Sequence, residues 1–214
     1  MLKNMNKQTL LLTCAGIAVM SLIASNIITN KQFDVPLIGW AITCGSICVP
    51  LSYVVDDILA EVFGFKTARR VIYLGFAMNA VAVLYFQFAI IIPGTETFQN
   101  QTAFETVLGC TWRTTLASFV AYILGSLANA KIMDMLHAKH GECGLFARCI
   151  ASTVVGEFLD MAIFAVIAFA GVLPVEVIGQ MIVTNTCAKI AVEALLYPVV
   201  TKNVIGWAKR LPDA

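Results

Sequence analysis

Six apolar stretches, each about long enough to cross a lipid bilayer, occupy most of this 214-residue chain and leave only short polar breaks between them. A soluble core helix rarely runs to roughly 20 apolar residues, whereas a bilayer span requires that many. With 59% apolar residues, only 13% charged ones and a mean hydropathy of +0.85, the composition is far from that of a soluble domain. The chain is built for lipid as its solvent.

The stretches lie at 9–29, 37–55, 71–92, 114–133, 149–171 and 177–200. Backbone amides facing hydrocarbon have no water to bond, and no alternating strand pattern is present, so all six are expected to be transmembrane helices. The fold class is all-α: one polytopic bundle, with 1–214 as a single membrane-embedded domain, since the largest break, about 93–113, is too short to fold alone. The first stretch exceeds a secretory h-region and lacks a small-residue cleavage site, so it reads as a span.

Orientation follows from the basic residues. Lys3, Lys7, Lys66, Arg69, Arg70, Lys131, Lys139, Arg148, Lys202, Lys209 and Arg210 fall on one side, against Lys31 and the span-edge Arg113 on the other. By the positive-inside rule both termini are cytoplasmic. The formal net charge of +1 conceals this asymmetry, and the partners expected are lipid and a small solute, not nucleic acid. Self-association as a homo-oligomer is left open.

The seven cysteines have no disulfide or metal spacing; within spans a thiol is a small apolar side chain. His137, His140 and Cys143 form a local group whose ordinary reading is a solvated connecting turn. Asn100-Gln101-Thr102 is a glycosylation sequon that matters only on a eukaryotic secretory route. No metal and no cofactor is expected.

The chemistry lies in charges that should not be in lipid. Glu157 and Asp160 are three residues apart near the middle of the fifth span, on one helical face; Asn185, Lys189 and Glu193 form a second stripe, at intervals of four, in the sixth. Each unpaired charge near the bilayer centre costs about 2.5 to 3.5 kcal/mol, so four would cost on the order of 10 kcal/mol. One ammonium cannot neutralise three carboxylates. The remaining ones must be protonated, hydrated or held by a ligand, which makes Glu157, Asp160 and Glu193 the candidate proton carriers. The bland alternative is that Lys189 and one carboxylate merely staple two helices.

Other polar positions carry paired readings. In the fourth span, Ala117, Ala121 and Gly125 let two backbones approach, while Ser118, Tyr122 and Asn129 offer polar tips to a ligand. Arg113 either snorkels at the outer boundary or serves as an external gate or the partner of an acid across the pathway. Pro50 frees a helical carbonyl next to Asp56 and Asp57, which otherwise read as interfacial caps. Ser25-Asn26 is a ligand contact or an interhelical bond.

At these residues the chain resembles the queuosine precursor transporters, the vitamin uptake transporter-like VUT family. The ordered set comprises Ser25-Asn26, Asp57-Ile58-Leu59-Ala60-Glu61-Val62-Phe63-Gly64 with Ala68-Arg69-Arg70, Ala117-Ser118 with Gly125-Ser126, and Ser152-Thr153 through Asp160 to Phe164 and Ala168-Phe169. The resemblance implies import of 7-deazaguanine nucleobases, the precursors of the tRNA nucleoside queuosine, across the bacterial cytoplasmic (inner) membrane. Asn26, Asp57, Arg113, Asp160 and Lys189 match the family's polar motifs. Asn129, Glu157 and Glu193 depart from the pattern and bear on which precursor is preferred.

A carboxylate at Asp160 or Glu157 can accept the paired N–H groups of a guanine-like edge; Asn or Lys donors meet its carbonyl, and Tyr122, Phe158 or Phe164 cover the ring. A membrane-embedded enzyme is the competing class, but G-x-S-x-G and H-E-x-x-H are absent and both histidines lie outside the spans, so the chain reads as a carrier and not an enzyme. A substrate-binding subunit of a transporter energised by a separate ATPase is a further alternative. Such subunits dock through A-x-x-x-A in the first span, where Ala15 is here followed by Val19 and Ala18 by Leu22. A solitary proton-coupled symporter is therefore preferred.

Overall fold

In a computed structural model the chain is described over residues 6–36, 38–140 and 145–212; the side chains of 129–130, 133–134, 136–140 and 145–152 lie outside the description. The His137, His140 and Cys143 group falls outside it as well.

Helix α1 (Lys7–Ile28) begins where the Asn6 side chain accepts the Thr9 amide at 2.8 Å, capping one of the four amides a helix start leaves unpaired. A small antiparallel hairpin follows, β1 (Gln32–Asp34) with β2 (Ala41–Thr43), in the register Phe33 to Ile42. Gly39, at φ +63, supplies the left-handed residue of its turn. A 3-10 segment, Cys44–Cys48, leads into α2 (Val49–Phe63).

The stretch 37–55 is thus not one helix. Its first half is hairpin and 3-10 turn, and helix starts only at Val49. Pro50 sits in the first helical turn, where its missing N–H costs nothing, so it starts a helix instead of breaking one. The acidic run expected in the following break is helical: Asp56, Asp57 and Glu61 all lie on α2. Gly64, at φ +82, turns the chain directly into α3 (Phe65–Ile91), which takes Lys66, Arg69 and Arg70 into its opening turns.

Helix α4 (Gln101–Gly109) is a short element in the 93–113 break, and α5 (Thr111–His140), α6 (Leu145–Phe169) and α7 (Val175–Leu196) cover the fourth to sixth stretches. At Pro198 the chain widens into a π-helical turn, Tyr197–Thr201, before α8 (Lys202–Ala208); proline lacks the amide and crowds the carbonyl four residues back.

The fold over the described residues is all-α apart from two three-residue strands. Among the described residues, Lys7–Ile28, Phe65–Ile91, Gln101–Ala128 and Val175–Ala208 are long and apolar enough to cross a membrane. Two apolar clusters bracket the molecule. One joins Leu10, Cys14, Val55, Leu59, Val71, Ile205 and Ala208 of α1, α2, α3 and α8; the other joins Ala41, Ala117, Ala165, Phe169, Ile178 and Met181 of β2, α5, α6 and α7. The Lys7 amide donates to the Pro212 carbonyl at 3.0 Å, so the two ends of the described chain meet.

Candidate functional site

Between the two clusters lies a cavity of about 200 Å3. Glu157 and Asp160, one turn apart on α6, both reach Lys189 of α7, whose Nζ donates to Glu157 Oε2 at 3.0 Å and to Asp160 Oδ2 at 2.9 Å. Their side chains are only 18 to 26% exposed, so the pairs sit in a largely desolvated setting. Asp160 and Lys189 both line the cavity, leaving open space beside the ion pair. Tyr53 of α2 donates to Glu157 Oε1 at 3.3 Å. Two carboxylates and one ammonium leave this centre with one negative charge to spare.

Close packing positions Asp160. A Cβ added at Gly125 of α5 would lie 3.0 Å from Asp160 Cβ and 3.2 Å from the Gly156 carbonyl, nearer than such atoms ordinarily come. Ala117 and Ala121, on the same seam, are 0% and 1% exposed. The small-residue spacing in the fourth span therefore packs α5 onto α6 at the acid itself.

The α1 wall is held from α5. Ser118 Oγ donates to Asn26 Oδ1 at 2.7 Å and Thr114 Oγ1 to the Asn26 carbonyl at 3.0 Å. Asn26 is 4% exposed and its Nδ2 has no hydrogen-bond partner among the described residues. A buried donor left unpaired costs about 1–3 kcal/mol, which a ligand acceptor in the cavity would recover. Phe76, Tyr122 and Phe164 supply ring faces; Phe76 and Tyr122 are 5.5 Å apart at their centroids.

Asn185 is also at the cavity, with its side chain already engaged. Its Oδ1 accepts from Thr43 Oγ1 at 3.0 Å and Ser46 Oγ at 2.6 Å, and its Nδ2 donates to the Met181 carbonyl at 2.7 Å. It ties the hairpin and 3-10 segment to α7. Gly45 fits the same segment against α1, since a Cβ there would meet Ser25 Oγ at 2.9 Å and Thr29 Cβ at 3.0 Å. Thr43, Gly45 and Ser46 went unread in the sequence, although Thr43-Cys44-Gly45-Ser46 is a small, polar interruption in an otherwise apolar run.

Several expected residues lie elsewhere. Arg113 donates from Nε to the Ile167 carbonyl at 2.6 Å and from Nη2 to the Ala170 carbonyl at 2.5 Å, satisfying carbonyls at the end of α6. Among the described residues no acid is its partner. It lines a larger cavity of about 620 Å3, together with Lys31, at the opposite end of α1 from Lys7. Asp57 does not line the central cavity and makes no hydrogen bond or ion pair among the described residues; nor does Glu193, whose electrostatic neighbours are Glu157 and Asp57. Phe158 is 46% exposed, and the side chain of Asn129 lies outside the described residues.

Chemically, the cavity offers an acceptor carboxylate, an uncommitted amide donor, an ammonium shared between two acids, and aromatic faces. That suits a flat, neutral or cationic solute with donors and a carbonyl on one edge.

The comparisons with known proteins point the same way. The model of a family described as "Putative vitamin uptake transporter" matches residues 43–202. The chain is 26% identical over 165 residues to the "Probable queuosine precursor transporter" of Bacillus subtilis (strain 168), covering 77% of this chain and 72% of that protein. No solved structure matches. Since the family match takes in every helix from α2 to α7, and with them the Glu157–Lys189–Asp160 centre, this chain belongs to the vitamin uptake transporter family.

Proposed function

We propose that this chain imports 7-deazaguanine nucleobases, the precursors of queuosine, across the bacterial cytoplasmic membrane as a solitary proton-coupled carrier. The observation that carries the reading is the Asp160–Lys189 pair, which borders an open cavity instead of being packed shut. The name of the Bacillus relative supports the substrate class.

In this reading the substrate edge meets Asp160 with its paired donors, its carbonyl takes the free Asn26 Nδ2, and its ring lies against Tyr122, Phe76 or Phe164. A cavity of about 200 Å3 is smaller than the 300–1,000 Å3 typical of drug-sized ligands, which favours a bare base over a nucleoside. When substrate engages Asp160, Lys189 keeps Glu157 as its partner, so the ammonium is never left alone. Carboxylates available to carry a proton include Glu157, Asp160 and Glu193.

Six spans with both ends in the cytoplasm complete the proposal. It is supported by the meeting of Lys7 with Pro212 and by the basic residues gathered near that end. The test is genetic and energetic. Cells unable to make the precursor should regain queuosine in their tRNA, at limiting external precursor, only when this chain is expressed. Uptake should collapse with a protonophore and survive ATP depletion; the reverse would assign the chain to an ATPase-energised assembly.

A further inference from the structure

A second cavity of about 200 Å3 adjoins the first on the side of Asp56. Helix α1 serves as the ruler: it contributes Leu22 to Thr29 to the central cavity, and Ala18 to Ser25 to this one. Leu22, Ser25, Phe76 and Tyr122 are common to both, so one wall divides two chambers.

The two chambers differ in how their acids are held. Asp160 is paired with Lys189, while Asp56, an accessible side chain of α2, makes no hydrogen bond or ion pair among the described residues. Ser21 of α1 is 2% exposed, lines the same cavity, and makes no side-chain hydrogen bond among the described residues. The residue is enclosed while its hydroxyl stays accessible from the chamber, so it can pair with a group that occupies or borders that space.

The remaining polar groups narrow the occupant. Ser52 Oγ donates to the Cys48 carbonyl at 3.1 Å and Ser25 Oγ to the Gly45 carbonyl at 3.2 Å, so both present only lone pairs. The charged neighbour of Asp56 is Asp57 on its own helix; Tyr122 of α5, which lines the chamber, has Asp56, Arg69 and Tyr73 around it, and α1 brings hydroxyls alone. Of the helices packed on α2, α7 brings Glu193 near Asp57 and α8 brings Lys209, taken by Glu61. Arg69 is taken by Tyr73, to which its Nε donates at 3.0 Å with the guanidinium over the ring, and forms no ion pair with Asp56. A chamber rich in acceptors, with an uncompensated carboxylate, suits a positive charge and not a base edge that also needs a carbonyl donor.

We infer that Asp56, with Ser21, is the station at which the coupling proton is held and released, separate from the substrate cavity and joined to it by the Ser25–Phe76–Tyr122 wall. The inference rests on the proton-coupled reading above. In the step, the Asp56 carboxylate takes one proton, the resulting O–H donates to Ser21 Oγ, and the proton later leaves to water on the Lys66 side, restoring the carboxylate. No other bond changes. Protonation removes the negative charge beside Tyr122, so the wall between the chambers senses it.

The experiment uses the full chain in proteoliposomes with a labelled deazaguanine precursor, measuring substrate exchange at equal pH and accumulation driven by a pH gradient. Wild type should show both. Asp56→Asn should keep exchange and lose accumulation above the external concentration; Asp56→Glu should restore accumulation with a displaced pH profile; Ser21→Ala should displace that profile while exchange persists. Gradient-driven accumulation by Asp56→Asn at the wild-type level would overturn the inference, as would loss of exchange together with accumulation, which would put Asp56 in the substrate path. Should Asp56→Asn not fold, an unaltered pH profile in Asp56→Glu overturns it equally. Accumulation that follows a sodium gradient and is lost in Asp56→Asn would assign the chamber to a metal cation instead. A wild type indifferent to both gradients would refute the coupled-carrier reading itself, a result distinct from failure of the Asp56 assignment.

Discussion

The cluster formed by α1, α2, α3 and α8 and the cavity between α1, α5, α6 and α7 belong to one bundle, yet they solve opposite problems. In the first, Leu59 and Ala208 are fully buried among Leu10, Cys14 and Ile205, and the polar link nearby, Lys209 to Glu61 at 3.1 Å, lies on the exposed side of the helices. In the second, two charged side chains, two amides and several hydroxyls border empty space, with Glu157 joined to them through Lys189. The difference separates the part that holds the bundle together from the part proposed to bind substrate. Inward polarity is costly in lipid, and it persists where each group is either paired or awaits a ligand.

The sharpest way to break this comparison is Asp160→Asn. Uptake should fall by about two orders of magnitude, roughly 3 kcal/mol, while the protein accumulates normally in the membrane; near-normal transport of labelled precursor would remove the cavity's claim to be the site. Leu59→Ala tests the other side. It should cost about 2–5 kcal/mol of stability, read as a lower melting temperature in detergent, with uptake per folded molecule unchanged.

Gly125→Ala probes the join between the two roles, because the new methyl would crowd Asp160 and the Gly156 carbonyl. A loss of about 1–3 kcal/mol, with weaker substrate affinity, is expected; a variant equal to wild type in both would show that α5 and α6 have room to spare. Asn26→Ala should raise KM about tenfold, the worth of one well-placed hydrogen bond to substrate, and, because Ser118 Oγ loses its acceptor, also lower the melting temperature, by about 1–3 kcal/mol of stability. Smallest of all, Glu61→Gln should cost less than about 1 kcal/mol and leave uptake intact, since both partners of Lys209–Glu61 are more than half exposed.

Much of the central site was legible before any fold was known. The pairs Glu157/Asp160 and Lys189/Glu193 follow helical spacing, and buried charge is so expensive in lipid that a meeting of α6 with α7 through Lys189 was foreseeable. The Gly125 seam was readable for the same reason, as small residues at four-residue steps have few uses other than close approach. Arg113 and Asn185 were harder: both looked like ligands, and one satisfies the end of α6 while the other fastens the hairpin. A side chain's type announces that it needs a partner without naming it.

Hydropathy and periodicity, which act over a few neighbouring residues, were enough to establish a helical protein made for a membrane, the helix faces on which its charges lie, and the resemblance to its family. Folding alone chose which of those charges meet, which face a cavity, and that 37–55 divides into hairpin and helix. The partnerships that settle this, Tyr53 with Glu157 at a separation of 104 residues and Thr43 with Asn185 at 142, join groups no local window contains. Burial satisfies a polar atom through whatever the rest of the chain brings to it, and that becomes known only when the helices are packed.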